Sequence, residues 1–279
     1  DSFATINKLT DNDIVDMLPQ VAVSGENAYV AWISNNENDI FGVQGENSIY
    51  YSELKDDEWS SPTLLCDSLN AVSSLGAGFI QEEFTVAYAL HEDNVLETID
   101  DMEIYTVRPG ATSVRLTNND TVDSSPVFSK YNGTEALYWY NGGNISYLTE
   151  LDAQPENVFS ELRAGLNDDF KVIEGNTNES AIIWNNTEKE SGGMYAAIYD
   201  ADNEIWSDVI KITKIDGDIQ SSDGILDRNG NFNIVFSRLT QLEDESEQTD
   251  LCIIKVVPSY DLAINSVSVD QSKVIPGTQ

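Results

Sequence analysis

One strand pattern occurs five times along this chain, and it constrains the fold more than any other feature. Each copy is a polar turn followed by an apolar run that ends in a large aromatic. The copies are Asn27–Trp32, Phe84–Tyr88, Glu135–Trp139, Ser180–Trp184 and Asn233–Phe236. Their terminal aromatics lie 56, 51, 45 and 52 residues apart. A period near fifty is too long for most helical repeats and suits a four-stranded propeller blade.

The other strands of a blade fall in order around each copy. An inner strand precedes it, as in Pro19–Val23 and Pro126–Phe128, joined by a Gly/Asn turn such as Ser24–Asn27 or Tyr131–Thr134. A third strand follows, as in Ile49–Ser52, Glu103–Val107, Asn144–Tyr147, Met194–Ile198 and Leu251–Val256. Outer strands open with Trp-Ser at Trp59-Ser60 and Trp206-Ser207. No stretch sustains a 3.6-residue apolar period, so helix is expected to be minor.

The opening of the chain repeats an internal segment. Ala4–Thr10 parallels Ala111–Thr117, and Asp13–Pro19 then runs beside Asp120–Pro126 without a gap. Residues 111–117 fall at a fourth strand, so 3–10 should be one too, although no first three strands precede it. The last repeat has three strands and no obvious fourth. Pairing 3–10 with Leu251–Val256 would satisfy both and leave no open sheet edge. The expectation is an all-β, five-bladed β-propeller over residues 1–258 whose N-terminal strand closes the last blade. Its blades run at about 18–66, 68–118, 124–164, 167–215 and 220–257 plus 3–10. A six- or seven-bladed ring cut at both ends is the competing arrangement. Residues 259–279 form a separate tail.

Charge narrows the partners. With 49 Asp and Glu against 14 Lys and Arg, the formal net charge is −35. Such a field repels phosphate backbones and anionic lipid, so neither nucleic acid nor membrane insertion is expected. Most of it reads as a solvated acidic surface. No apolar run is long enough to span a bilayer, and the chain opens at Asp1 with no apolar leader, as an excised fragment would. Cys66 and Cys252 sit near no metal-ligand spacing; they are read as two buried thiols or one disulfide.

In the tail, Tyr260–Val269 followed by Val274–Gly277 combines an Asp-Leu pair, an alternating strand and a Pro-Gly turn. This resembles the start of the immunoglobulin-like adhesion domains called CARDB. The preceding repeats resemble the extracellular propeller repeats of bacterial and archaeal surface proteins. The resemblance implies a secreted or cell-surface, multi-domain protein, with the tail as linker and first strand of a truncated sandwich. The other reading of the tail is an outer strand packed on the propeller. Sialidase, Trp-Asp and kelch signatures are missing, so no family activity carries over: Ser222-Asp223-Gly224, for one, lacks the Trp of the sialidase box.

Long segments join second and third strands at Ile33–Ser48, Leu90–Asp101, Asn185–Gly193 and Leu239–Thr249, whereas the opposite turns are tight. Function tends to reside on long loops held by a rigid scaffold. Phe41, Tyr140 and Asn141 are therefore candidate ligand-binding residues, together with Asp16 and Asp123 of the repeated Asp-x-x-Asp element. Those aspartates could hold calcium or could cap the turn into the first strand. No other cofactor is implied. The strand-end aromatics read as packing between blades.

Catalysis finds little support. The single histidine, His91, lies in an acidic loop and is expected to be solvated; no nucleophile motif accompanies it. The expected role is a monomeric, non-catalytic binding or spacer module for a glycan or an extracellular protein. The alternative is a glycoside hydrolase using carboxylates at the propeller centre.

Overall fold

The computed structural model describes residues 8–163, 165–174, 180–186, 193–213, 218–227, 231–241, 246–258 and 264–269. The chain is all-β. Among the described residues the strands form five antiparallel sheets of four or five strands, and the only helix is the short 3-10 turn Ile99–Asp101. The first sheet runs Val15–Ser24, Asn27–Asn35, Asn47–Lys55 and Glu58–Trp59, with Thr63–Leu69 also paired to Asn47–Lys55. The second is Val72–Ile80, Glu83–His91, Met102–Val107 and Val114–Arg115. Asp123–Tyr131, Thr134–Asn141, Asn144–Leu148 and Glu156–Asn157 make the third. Phe170–Glu174, Ser180–Asn186, Gly193–Asp200 and Ile205–Trp206 make the fourth, with Ile210–Thr213 beside Gly193–Asp200. The fifth is Asp218–Leu226, Phe232–Gln241, Glu247–Pro258 and Ile264–Val269.

Turn chemistry fixes the register of these hairpins. Asn132 and Gly133 both take positive φ, 48° and 76°, as the mirror-image two-residue turn requires. Each second strand then buries its aromatic. Tyr88, Trp139 and Trp184 are at most 2% exposed, Phe236 4% and Trp32 5%.

The chain divides into two compact units, residues 1–128, 135–142 and 147–155 in one, and 129–134, 143–146 and 156–279 in the other. The division runs through the third sheet. In the first unit, Ala31, Ile33 and Ile49 of the first sheet pack on Val86 and Tyr88 of the second. Ile80, Ala87 and Ile104 of the second sheet pack in turn on Leu137 and Trp139 of the third. Two glycines let the second and third sheets approach. A Cβ on Gly76 would meet the Pro126 carbonyl oxygen at 2.4 Å, and one on Gly78 would meet the Phe128 Cβ at 2.2 Å. In the second unit, Ile183 and Met194 of the fourth sheet pack on Ile234, Phe236 and Ile254 of the fifth. Both cysteines are free, Cys66 against the core of the first two sheets and Cys252 against that of the last two. Burial pushes the Cys66 thiol up to about 11.

Residues 1–7, most of the proposed closing strand, lie outside the described residues, and 8–10 are not strand. The place beside Leu251–Val256 assigned to Phe3–Thr10 is held from Ile254 onward by Ile264–Val269. This corrects the expected seal. A strand that follows its partner after a short connection closes a far smaller loop than one brought from the other end of the chain. Of the long connections, 187–192 and 242–245 also lie outside the described residues, as does the centre of the Asp227–Asn231 turn. No helix among the described residues is long and apolar enough to cross a membrane.

Candidate functional site

Of the two candidate aspartates, Asp123 is buried in the third sheet and Asp16 is half-buried in the first. Asp16 Oδ1 accepts the indole N–H of Trp32 at 3.1 Å and the hydroxyl of Ser34. Asp123 Oδ1 accepts the indole N–H of Trp139 at 2.9 Å and the Asn141 amide at 2.8 Å. Its Oδ2 accepts the Asn119 amide at 2.7 Å. In both sheets the indole belongs to the residue sixteen positions after the aspartate, and the second donor to the residue eighteen after.

A backbone irregularity aims these carboxylates. Leu18 and Ser125, each two residues after its aspartate and just before a proline, adopt φ of 51° and 53°. In the first sheet the register slips between Met17 and Gln20. Such a bulge turns the preceding side chain across the sheet, at a local cost of about 1–3 kcal/mol for a non-glycine residue with positive φ. The indole bond offsets that cost.

Asp123 is fully buried. Burial, with a smaller contribution from the nearby Glu103 carboxylate, raises its carboxyl to about 6 against the pull of its hydrogen bonds. Glu103 is itself 1% exposed and pairs with Arg115 at 2.8 Å. The N–H donors that surround Asp123 present positive hydrogens where a cation would need lone pairs. Among the described residues no group of three or more His, Cys, Asp or Glu side chains could hold a metal. Asp13 and Asp120, the first members of each Asp-x-x-Asp element, are exposed.

Asp16 also lines a cleft with Leu9, Thr10, Met17, Pro19, Val30 and Trp32. Its volume is about 140 Å³, below the roughly 300 Å³ at which ligand sites begin.

Phe41 has a different setting. It stands with Ile40 on the loop after Asn27–Asn35, and both are 65% exposed. The loop is tightly built from its own side chains. Asp39 accepts the backbone N–H groups of Phe41, Val43 and Gln44 at 3.0, 3.0 and 2.8 Å. Those bonds hold its carboxyl below the usual range, led by the one from Gln44. Asn35 accepts from the Glu37 and Asp39 backbones, and Asn47 donates to the Gly42 carbonyl at 2.7 Å.

The corresponding loop of the second sheet, 92–101, is built the same way and tied to the first. Asp93 accepts the Val95 N–H at 2.9 Å and the Thr98 hydroxyl. Asn94 donates to the Val43 carbonyl at 2.7 Å and accepts the Ala71 N–H at 2.7 Å. Val95 and Ile99 are 44% and 54% exposed. His91, expected in solvent, is instead 3% exposed at the strand end, its Nδ1 3.5 Å from Asp101 Oδ1. It belongs to the strand Glu83–His91, whose apolar run carries it under the loop.

Tyr140 and Asn141 end the strand Thr134–Asn141 and are half-buried. The structure thus unites Asn141 with Asp123, sets Asp16 with Trp32, and presents Phe41 outward on its loop. Ile40, Val95 and Ile99 were not singled out from sequence. Branched apolar residues inside polar loop stretches were the available signal.

No protein family matches the chain, and no curated protein matches it in sequence. Solved structures do. The intramolecular trans-sialidase from Ruminococcus gnavus, in complex with oseltamivir carboxylate, superposes with a TM-score of 0.52 at 9% identity, over 95% of this chain and 86% of that one. A puromycin hydrolase mutant gives a TM-score of 0.48 at 9% identity over 90% of this chain, which spans only 35% of that enzyme. A thermostable family-43 glycoside hydrolase gives 0.46 at 12% identity, over 92% and 93% of the two chains. The trans-sialidase likeness gives this chain a β-propeller-like fold.

Proposed function

We propose that this chain is a non-catalytic recognition or spacer module of a secreted, multi-domain surface protein. In this reading its five sheets are the blades of one five-bladed propeller, and it acts as a monomer. It engages an extracellular glycan or protein through the loops that carry Phe41. The observation that carries this reading is the fixed presentation of Ile40 and Phe41, each 65% exposed on a loop braced by its own side chains. A rigid loop loses little conformational entropy on binding, so exposed apolar groups on it contribute nearly in full.

The fold likeness to a trans-sialidase lends weight to a glycan as partner and to hydrolysis as the second reading. A glycosidase needs two carboxylates facing one sugar, about 5–10 Å apart and open to it. Asp123 is 0% exposed and surrounded by donors from its own sheet, which argues for recognition without turnover.

A glycan array and a panel of extracellular proteins, probed with wild type, Phe41→Ala and Tyr140→Ala, tests the reading. Binding should fall at least about tenfold in Phe41→Ala, the equivalent of about 1.4 kcal/mol, with Tyr140→Ala affected less. Binding that ignores Phe41, or turnover of chromogenic glycosides that is lost in Asp16→Asn, would refute it.

A further inference from the structure

The loops 36–46 and 92–101 meet through one bond, the Asn94 amide on the Val43 carbonyl at 2.7 Å, and Asn47 braces the join by donating to the Asn70 carbonyl at 2.9 Å. On either side of that bond the chain presents Ile40, Phe41, Val95 and Ile99, between 44% and 65% exposed. The two loops carry eight Asp and Glu and no Lys or Arg; of the eight, Glu92 pairs with Arg115, and Asp39 and Asp93 accept N–H groups of their own loops. Glu37, Glu46, Glu97 and Asp100 are exposed.

This combination selects among partners. Carboxylates accept hydrogen bonds and offer none, so a neutral sugar, rich in both donors and acceptors, is half-matched here. Acidic ligands are repelled. A segment that carries positive charges beside apolar side chains matches both features at once. We propose that the paired loops dock a cationic, amphipathic protein segment. Its apolar side chains lie on Ile40, Phe41, Val95 and Ile99, and its lysine or arginine groups lie on the surrounding carboxylates. This rests on the loop-face reading above and names the partner's chemistry.

The test is fluorescence anisotropy with a labelled short peptide of alternating Lys and Leu. Companions are a Lys-Ser peptide of equal charge, a Glu-Leu peptide, and sialyllactose and xylo-oligosaccharides as competitors. The Lys-Leu peptide should bind at least about tenfold more tightly than either other peptide. The double substitution Phe41→Ser with Ile99→Ser should weaken it at least about tenfold without a change in Tm. Binding should also weaken at about 1 M salt, where charges are screened within about 3 Å. Equal binding of Lys-Ser, or an unmoved affinity in the loop variant, would mean diffuse attraction to a chain of charge −35 and would overturn the proposal. If the oligosaccharides bind instead and lose affinity in the same variant, the partner chemistry is wrong and the loop-face reading survives. If no probe responds to the loop substitutions, both fall.

Discussion

Asp123→Ala is expected to cost about 3–5 kcal/mol, because it leaves the buried Trp139 indole N–H without an acceptor and removes the acceptor of the half-buried Asn141 and the exposed Asn119 amides. Urea unfolding followed by tryptophan fluorescence measures it. The same residue gives the protein a pH dependence of definite sign. Its carboxyl is raised to about 6 when folded, against about 3.9 in an unfolded chain. The folded state therefore holds the proton more tightly between those values. Its contribution is complete below about pH 4 and disappears as pH climbs through about 6, a loss of at most about 3 kcal/mol. Repulsion among the other acids also grows over that range, so the informative quantity is the difference from a variant that cannot titrate. Asp123→Asn should flatten the slope of stability between about pH 4 and 6 relative to wild type. Equal slopes would remove Asp123 as its source.

The second large effect comes from a residue with no side chain. Gly78→Ala places a methyl 2.2 Å from the Phe128 Cβ, and Gly76→Ala places one 2.4 Å from the Pro126 carbonyl oxygen. Both should destabilise by about 3 kcal/mol or more, since the sheets must move apart to admit the carbon. They should differ in rescue. Phe128→Ala removes ring atoms that crowd position 78 and should recover part of the loss there. The obstacle at 76 is backbone, which no side-chain change removes. Gly110→Ala is the control: nothing lies within 4 Å of its Cβ, and only its φ of 74° opposes the change, a penalty of about 1–2 kcal/mol. Thermal melts of these four variants and of the Gly78→Ala/Phe128→Ala double variant decide the matter. Additive losses for the Gly78 and Phe128 pair would contradict the close-packing account.

The strands were legible because their signals are local. Alternation, an Asn-Gly turn and a terminal aromatic all lie within a few residues of one another. Segments such as Glu135–Trp139 and Ser180–Trp184 fall inside second strands, where the apolar run placed them. The aspartate–indole bond was present in the sequence as the interval from Asp16 to Trp32 and again from Asp123 to Trp139. It remained hidden because it depends on the left-handed turns at Leu18 and Ser125, and neither residue type signals positive φ. His91 was misread for a similar reason: its acidic neighbours follow it in the loop, while the residue itself ends a buried strand. The tail strand Ile264–Val269 took a place given to the opening segment because matching patterns identify strands but not partners.

Two features are distinct in this protein: aspartates that hold the first and third sheets each to its own tryptophan, and braced loops that face outward. Hydrogen exchange with and without the Lys-Leu peptide distinguishes them most directly. Protection confined to amides of 36–46 and 92–101, with Asp16 and Asp123 and their strands unchanged, is the predicted result. Protection centred on the cleft at Asp16, or on strands remote from Phe41 and Ile99, would contradict the assignment.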